Sequence, residues 1–191
     1  MLWTIHRHFK GNLYLEIGTA LHSETKETLV IYRCLYDNDL ASTWVRPSPS
    51  FEGFTPDGKR RFEPVATLQA HHPHSVSSLD SELRPPHLPT QASTFTLNLP
   101  QTGPVSALSA VSETPSQSRI ITLRTLPSFR QKGHATTLLR AFMGVTLHLS
   151  GKASTRFLMQ APSASSLLSR CGFGAPSQDG DRSCEHNPSI A

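Results

Sequence analysis

The tightest constraint in this sequence is a strand, a short loop and a helix in direct succession between residues 119 and 149. Ile120-Ile-Thr-Leu-Arg-Thr-Leu126 is β-branched and apolar enough for a strand, and Pro127-Ser128 ends it. Beyond the hexapeptide Arg130-Gln-Lys-Gly133-His-Ala135, apolar residues recur at helical steps: Ala135, Leu138, Leu139, Phe142 and Met143. That spacing predicts a helix starting near Gly133. A strand, a tight loop and a helix in this order gather backbone N–H groups at a helix N-terminus. Such amides carry partial positive charge and bind phosphate. Gly133 and Ala135 are small, so a ligand meets no bulky side chain on approach.

The flanking charges point the same way. No carboxylate occurs between Glu113 and Asp179, whereas Arg119, Arg124, Arg130, Lys132, Arg140, Lys152, Arg156 and Arg170 all fall inside that span. A field of one sign suits a ligand with several phosphates or a nucleic-acid backbone. A solvated face of a basic domain also has this look.

Upstream, Ser93-Thr-Phe-Thr-Leu-Asn-Leu99 alternates strictly, which predicts a half-buried strand with Phe95, Leu97 and Leu99 inward. Gln101-Thr-Gly103 turns the chain, Val105–Val111 returns, and Thr114-Pro-Ser-Gln turns it again. The expectation is an antiparallel meander leading into the loop. Downstream, Arg156-Phe-Leu-Met-Gln160 reads as a strand. Pro162 and Ser163 open a short helix, with Ser163 as N-cap and Gly172 past its end.

Leu123-Arg-Thr-Leu-Pro127-Ser-Phe-Arg130-Gln-Lys-Gly133-His-Ala135-Thr resembles motif A of the GNAT superfamily of acyl-CoA-dependent N-acetyltransferases, Arg/Gln-x-x-Gly-x-Gly/Ala after a strand and a proline-containing turn. Ser163-Ala-Ser-Ser-Leu167-Leu-Ser-Arg-Cys-Gly172-Phe173 is similar to that family's later helix, which commonly ends in Gly-Phe. The resemblance spans residues 93–173 in part. It implies a mixed central sheet and acetyl-CoA as co-substrate. The backbone of Leu123, Arg124 and Thr125 would pair with the pantetheine arm. The amides of Gln131, Lys132, Gly133, His134, Ala135 and Thr136 would hold the pyrophosphate, Arg130 and Lys132 would add charge, and Ser163 would border the cofactor. In that family an amine attacks the thioester directly between two diverging strand edges, so one group must take the amine proton and another protonate the thiolate.

The sequence departs from the pattern where acid and base belong. Leu168 stands where the family often has its acidic Tyr, and Ser163 replaces the usual Asn. The strand that commonly supplies a catalytic Glu has none, which leaves Glu113 at its approach as the candidate. Past Phe173 only a polar tail is expected, without the family's last hairpin.

The first 65 residues read differently. Leu13–Ala20, Thr28–Tyr36 and Ser42–Arg46 are strand-like, Arg60-Arg-Phe-Glu adds a fourth short run, and no helix intervenes. That predicts a small β-barrel-like module, and an α+β chain as a whole. His6-Arg-His-Phe-Lys-Gly-Asn12, His22-Ser-Glu-Thr25, Tyr32-Arg33 and Trp44-Val-Arg-Pro47 closely resemble a small bacterial family known as domain of unknown function 1653. Two readings fit these residues. His6, Arg7, His8 and Lys10 line a groove for an acidic ligand, with Tyr32 and Trp44 as stacking faces. Alternatively, Phe9, Tyr14, Tyr32 and Trp44 form the core and the polar residues make turns. His6 and His8 lack a third ligand nearby, so no metal is expected.

Residues 66–92, with His71-His-Pro-His74 and Arg84-Pro-Pro-His87, are expected to be a junction or a worn-down start of the second domain, with a short helix over Ser75–Leu83. A hydrophobic fraction of 37% and 15 prolines fit ordered modules separated by polar segments. Cys34, Cys171 and Cys184 lack metal-ligand spacing and read as reduced thiols. Met1-Leu-Trp-Thr-Ile-His-Arg lacks the apolar run of a signal peptide, so a cytoplasmic protein without membrane partners is expected. Three function classes remain. One is an N-acetyltransferase acting on a small-molecule or protein amine, with an accessory module. Another is a binding protein whose second half is degenerate. The last is a nucleic-acid-associated protein, which lacks stacking aromatics at regular spacing and any recognisable motif.

Overall fold

A computed structural model describes residues 1–85, 89–114, 117–150, 153–158, 165–175 and 181–186. The chain divides into two compact units, Leu2–Thr67 and Leu68–Ala191 together with Met1. The class is α+β.

In the first unit β1 (Leu2–His8), β2 (Leu13–Leu21), β3 (Thr28–Cys34) and β4 (Thr43–Pro47) precede a one-turn helix α1 (Ser48–Glu52), and β5 starts at Phe62 and ends at His71. The strand order is β5-β1-β2-β3-β4. Because β4 and β5 do not pair, the sheet stays open, which corrects the barrel-like expectation. Pro47 ends β4 and Pro49 follows in the first turn of α1, and neither has an N–H with which to continue the ladder. Val30, Tyr32, Phe51 and Phe62 form the core, with Tyr14 and Trp44 against them. Phe51 and Phe62 stack at 4.1 Å. Tyr32 and Trp44 thus belong to the core, as Tyr14 does, and are not stacking faces. Phe9, expected among them, is 41% exposed.

In the second unit β6 (Ala92–Leu99), β7 (Gly103–Thr114) and β8 (Gln117–Thr125) form the expected antiparallel meander. Helix α2 (His134–Ser150) connects β8 to the parallel strand β9 (Ala153–Leu158), which makes the sheet mixed. Then come α3 (Ser165–Arg170) and β10 (Asp181–His186), antiparallel to β9. β10 lies where only a polar tail was expected. Its six residues are mostly polar, and no alternation in the sequence marked them as a strand. The expected short helix at 75–83 is instead a 3-10 segment, Pro73–Ser78.

Helix α2 contacts β6, β7, β8 and β9. Leu138, Leu139 and Ala141 are completely buried and Phe142 nearly so. Each large apolar side chain so removed from water contributes roughly 1.5–3 kcal/mol. This holds the N-terminus of α2 at the end of β8. The sheet is more enclosed than alternation suggested: Thr94 and Thr96 are as buried as Leu97. Thr94 and Ser109 satisfy each other's hydroxyls at 2.9 Å, as burial requires.

Candidate functional site

Strand β8 changes partners halfway. Its N-terminal part pairs with β9 from Gln117↔Ser154 to Ile120↔Phe157, where the pairing ends among the described residues. At that point Thr122 opposes Ser109 while Ile120 opposes Ala110 on β7, so Ile121 is an extra residue, a β-bulge. Bulges bend the strand that carries them. Beyond it, Thr122–Thr125 stays paired with β7 only, and its other edge has no strand partner among the described residues. Ser106 Oγ donates to the Arg124 carbonyl at 2.7 Å, and the Leu126 amide donates to the Val105 carbonyl. Strand groups alternate in direction, so Leu123 and Thr125 direct theirs to the open edge.

After β8 the chain makes a 3-10 turn, Pro127–Phe129. Arg130 then folds back, and its Nε donates to the Thr125 carbonyl at 3.2 Å. Gln131 has φ +61° and Gly133 φ +82°. A left-handed glycine is cheap, but a left-handed glutamine costs about 1–2 kcal/mol. Such strain in a non-glycine residue often marks a working loop. The first helical bond is Thr137 N–H to the Gly133 carbonyl. Among the described residues no acceptor meets the N–H groups of Gln131, Lys132, Gly133, His134, Ala135 or Thr136. The loop from Arg130 to Gly133 is exposed.

These groups border a cleft of about 220 Å³ lined by Thr125, Phe129, Arg130, Gln131, Gly133, His134, Ala135 and Thr136, with Leu167 and Arg170 from α3. Lys132 Nζ lies 5.2 Å from the centre of the Phe129 ring. The His134 ring is 5.9 Å from Phe129. Burial, and then the Lys132 charge, lower its pKa below the ordinary histidine value. The neutral imidazole is therefore favoured at neutral pH. Arg170 is steadied by its own helix, Nε to the Ser166 carbonyl at 3.2 Å and Nη2 to Ser166 Oγ at 3.1 Å. Arg140 donates to the Arg170 carbonyl at 2.6 Å. After α3, Gly172 takes φ +84°, and Phe173 N–H reaches the Leu168 carbonyl while Gly172 N–H reaches that of Ser169. This closes the helix in a Schellman motif.

Most of the expected site residues converge here: Thr125, Arg130, Gln131, Gly133, His134, Ala135 and Thr136. Leu123 lies on the adjoining open edge. Arg124 turns to the Glu82 carbonyl at 3.4 Å. Ser163 lies outside the described residues. Glu113 is not among the residues lining the cleft. It sits near the turn end of β7, past the bulge, and its Oε1 is 2.8 Å from Arg119 Nε. Phe129, Leu167 and Arg170 line the cleft without having been singled out as site residues. The nearest signal was the Gly172-Phe173 ending, which fixes where α3 stops and so where Arg170 stands.

Elsewhere, His6 Nε2 is 2.8 Å from Glu16 Oε2 and His71 Nε2 is 2.8 Å from Thr96 Oγ1. No metal-ligand cluster of three or more His, Cys, Asp or Glu occurs among the described residues. Cys34, Cys171 and Cys184 are buried thiols. No helix among the described residues is long and apolar enough to cross a membrane.

The family model described as "Protein of unknown function (DUF1653)" matches residues 4–64. A DUF1653 protein from Bordetella bronchiseptica, solved as a crystal structure, is 32% identical over 32% of this chain and 83% of its own, with a TM-score of 0.30. Through that segment, this chain belongs to the DUF1653 family. Two further solved structures are similar over most of the chain. The ribosomal-protein-S18-alanine N-acetyltransferase from Escherichia coli is 11% identical, covering 66% of this chain and 96% of its own, at TM-score 0.49. The IAA acetyltransferase from Bacillus cereus is 14% identical, covering 63% and 99%, at TM-score 0.48. No curated protein matches this chain significantly.

Proposed function

We propose that the second unit binds acyl-CoA and transfers its acetyl group to an amine. The observation that carries this reading is the row of six amides, Gln131 to Thr136, without acceptors beside a cleft at the open end of β8. Unmet N–H groups at a helix N-terminus fit a diphosphate in both charge and direction. The open edge at Leu123 and the Thr125 N–H offers strand-like hydrogen bonds to the amide-containing arm of the coenzyme, the Thr125 carbonyl being taken by Arg130. Acetyl-CoA, when bound, supplies an activated thioester. This chain supplies the rest. Arg130 and Arg170 add charge at the phosphate end, and Phe129 and Leu167 give the cleft apolar walls. The open edge of β8 beyond Ile120 leaves room for an amine. Glu113 is the carboxylate proposed to take the amine proton, and to do so it exchanges Arg119 for the incoming ammonium.

The competing reading, a binding protein without turnover, is favoured by one observation. Leu168, in the place where the resembling family often has its acidic Tyr, is 2% exposed and bears no proton. Titration of the full chain with acetyl-CoA separates both from neither. Ligand at a hundredfold excess over its Kd stabilises by about 2.7 kcal/mol, a rise in Tm of about 5–10 °C for this size. A saturable rise with thiol release on adding amines supports transfer, and a rise without thiol release supports binding alone. No rise with acetyl-CoA refutes both.

A further inference from the structure

The first unit holds a second cleft, of about 320 Å³, lined by Arg7, His8, Phe9, Gly11, Lys59, Arg60 and Glu63. Two hydrogen-bonded turns build its walls. In one, Gly11 N–H donates to the His8 carbonyl at 2.7 Å, and His8 N–H to that of Asn12. In the other, Thr55 and Lys59 are bound through both backbone and the Thr55 hydroxyl, and Gly58 takes φ +79°. Phe9 N–H to the Arg61 carbonyl at 3.0 Å ties one wall to the other. The shape is therefore set before any ligand arrives.

Its charges are not balanced. Lys59 is taken by Asp57 at 2.9 Å. Arg7 and Arg60 have no carboxylate partner among the described residues, and Glu63 forms no ion pair with either. Arg61 lies over the Phe9 ring at 5.9 Å, and its Nε is shut from solvent with no acceptor among the described residues. A buried donor left unmet is costly, and a neighbouring anion would relieve it electrostatically. Phe9 meanwhile keeps 41% of its surface exposed, whereas Tyr32, Phe51 and Phe62 pack into the core. The His8 ring lies 4.3 Å from that of Phe9, tilted by 47°. Its Nδ1 accepts the Lys10 amide, so the proton sits on Nε2 as a donor.

Two planar guanidinium forks and a half-bare phenyl ring in one preformed hollow select a particular chemistry. We infer that this cleft binds a small anion whose carboxylate or phosphate head is joined to an apolar, planar part. Arg7 and Arg60 hold the head, and Phe9 covers the flat part. The site is independent of the α2 loop.

The test titrates the full chain carrying Gly133→Glu, which closes the other phosphate site, with phenyl phosphate, benzoate, inorganic phosphate and benzyl alcohol. Saturable binding of phenyl phosphate or benzoate is expected, the stronger of the two identifying the head group, and none of benzyl alcohol. Arg7→Gln and Arg60→Gln should each weaken it at least tenfold, with partial recovery in Arg60→Lys. Phe9→Ala should weaken phenyl phosphate or benzoate but leave inorganic phosphate unchanged. In the unsubstituted chain, amide NMR shifts should move at Arg7, Phe9 and Arg60. No saturable binding of either aromatic anion, or binding that survives the double Arg7→Gln, Arg60→Gln change, overturns the inference.

Discussion

Replacing Gly133 separates the fold of the α2 loop from its use. At φ +82° a Cβ at this position meets no atom within 4 Å, so the cost of alanine is conformational and not steric. Holding a non-glycine residue in this region costs about 1–2 kcal/mol, which lowers Tm by about 2–8 °C for a chain of this length. Gly133→Glu pays the same strain, but its carboxylate sits among six unmet amides and recovers about 0.3–1 kcal/mol at the helix N-terminus. The glutamate variant should therefore melt no lower than the alanine variant. Coenzyme binding should order them the opposite way. Hydrogen bonds to a charged group are worth about 1.5–3 kcal/mol each. A resident carboxylate that crowds these amides and repels the diphosphate denies the coenzyme about two such bonds, a loss of more than a hundredfold, while alanine leaves most of the affinity. Calorimetric titration and thermal melting of both variants give the comparison. Equal coenzyme affinity in the two, or a glutamate variant several degrees less stable than the alanine one, would refute the assignment of these amides as the anion site.

His134 predicts a pH response. Its folded pKa lies below the ordinary 6.5, from burial first and then Lys132, so the unfolded chain binds more protons in the window beneath that value. Stability is then full above pH 6.5 and falls as pH drops through that window. His134→Gln should flatten the acid limb of a Tm-against-pH curve, and an unchanged limb would count against it. Glu113→Gln should cut the amine-transfer rate at least tenfold while leaving coenzyme affinity alone, since Glu113 does not line the cleft. An unaltered rate would remove it as the base. Phe51, 2% exposed and stacked on Phe62, should cost about 3–5 kcal/mol on truncation to alanine. Both tryptophans, Trp3 and Trp44, lie in the first unit, so their emission should report its earlier melting, and a loss below 1 kcal/mol would contradict the packing described.

Periodicity alone located the meander, the loop and α2, because a sheet face and a helix stripe each imprint their period on neighbouring residues. It failed where burial comes from elements distant in sequence. Thr94 and Thr96 looked solvent-facing by alternation, yet both are covered. β5 read as four residues and runs from Phe62 to His71. β1 went unread among the histidines and cations of the opening residues. β10, with Arg182, Ser183 and Cys184 at its centre, has too few apolar positions to announce a strand, and exists because β9 offers it an edge.

By itself the sequence determined the order of elements around Gly133, the acid-free span of positive charge, and the turn that ends α3. Those depend on local backbone preference and on formal charge, which travel with the residues. The tertiary structure alone set the bulge of β8 at Ile121, the meeting of Arg170 and Arg130 at one cleft, the closeness of Glu113 to Arg119, and the open sheet of the first unit. Each of these depends on which strand edges and side chains meet across long stretches of chain, and hydrogen-bond pairing between distant segments leaves no period in the sequence to read.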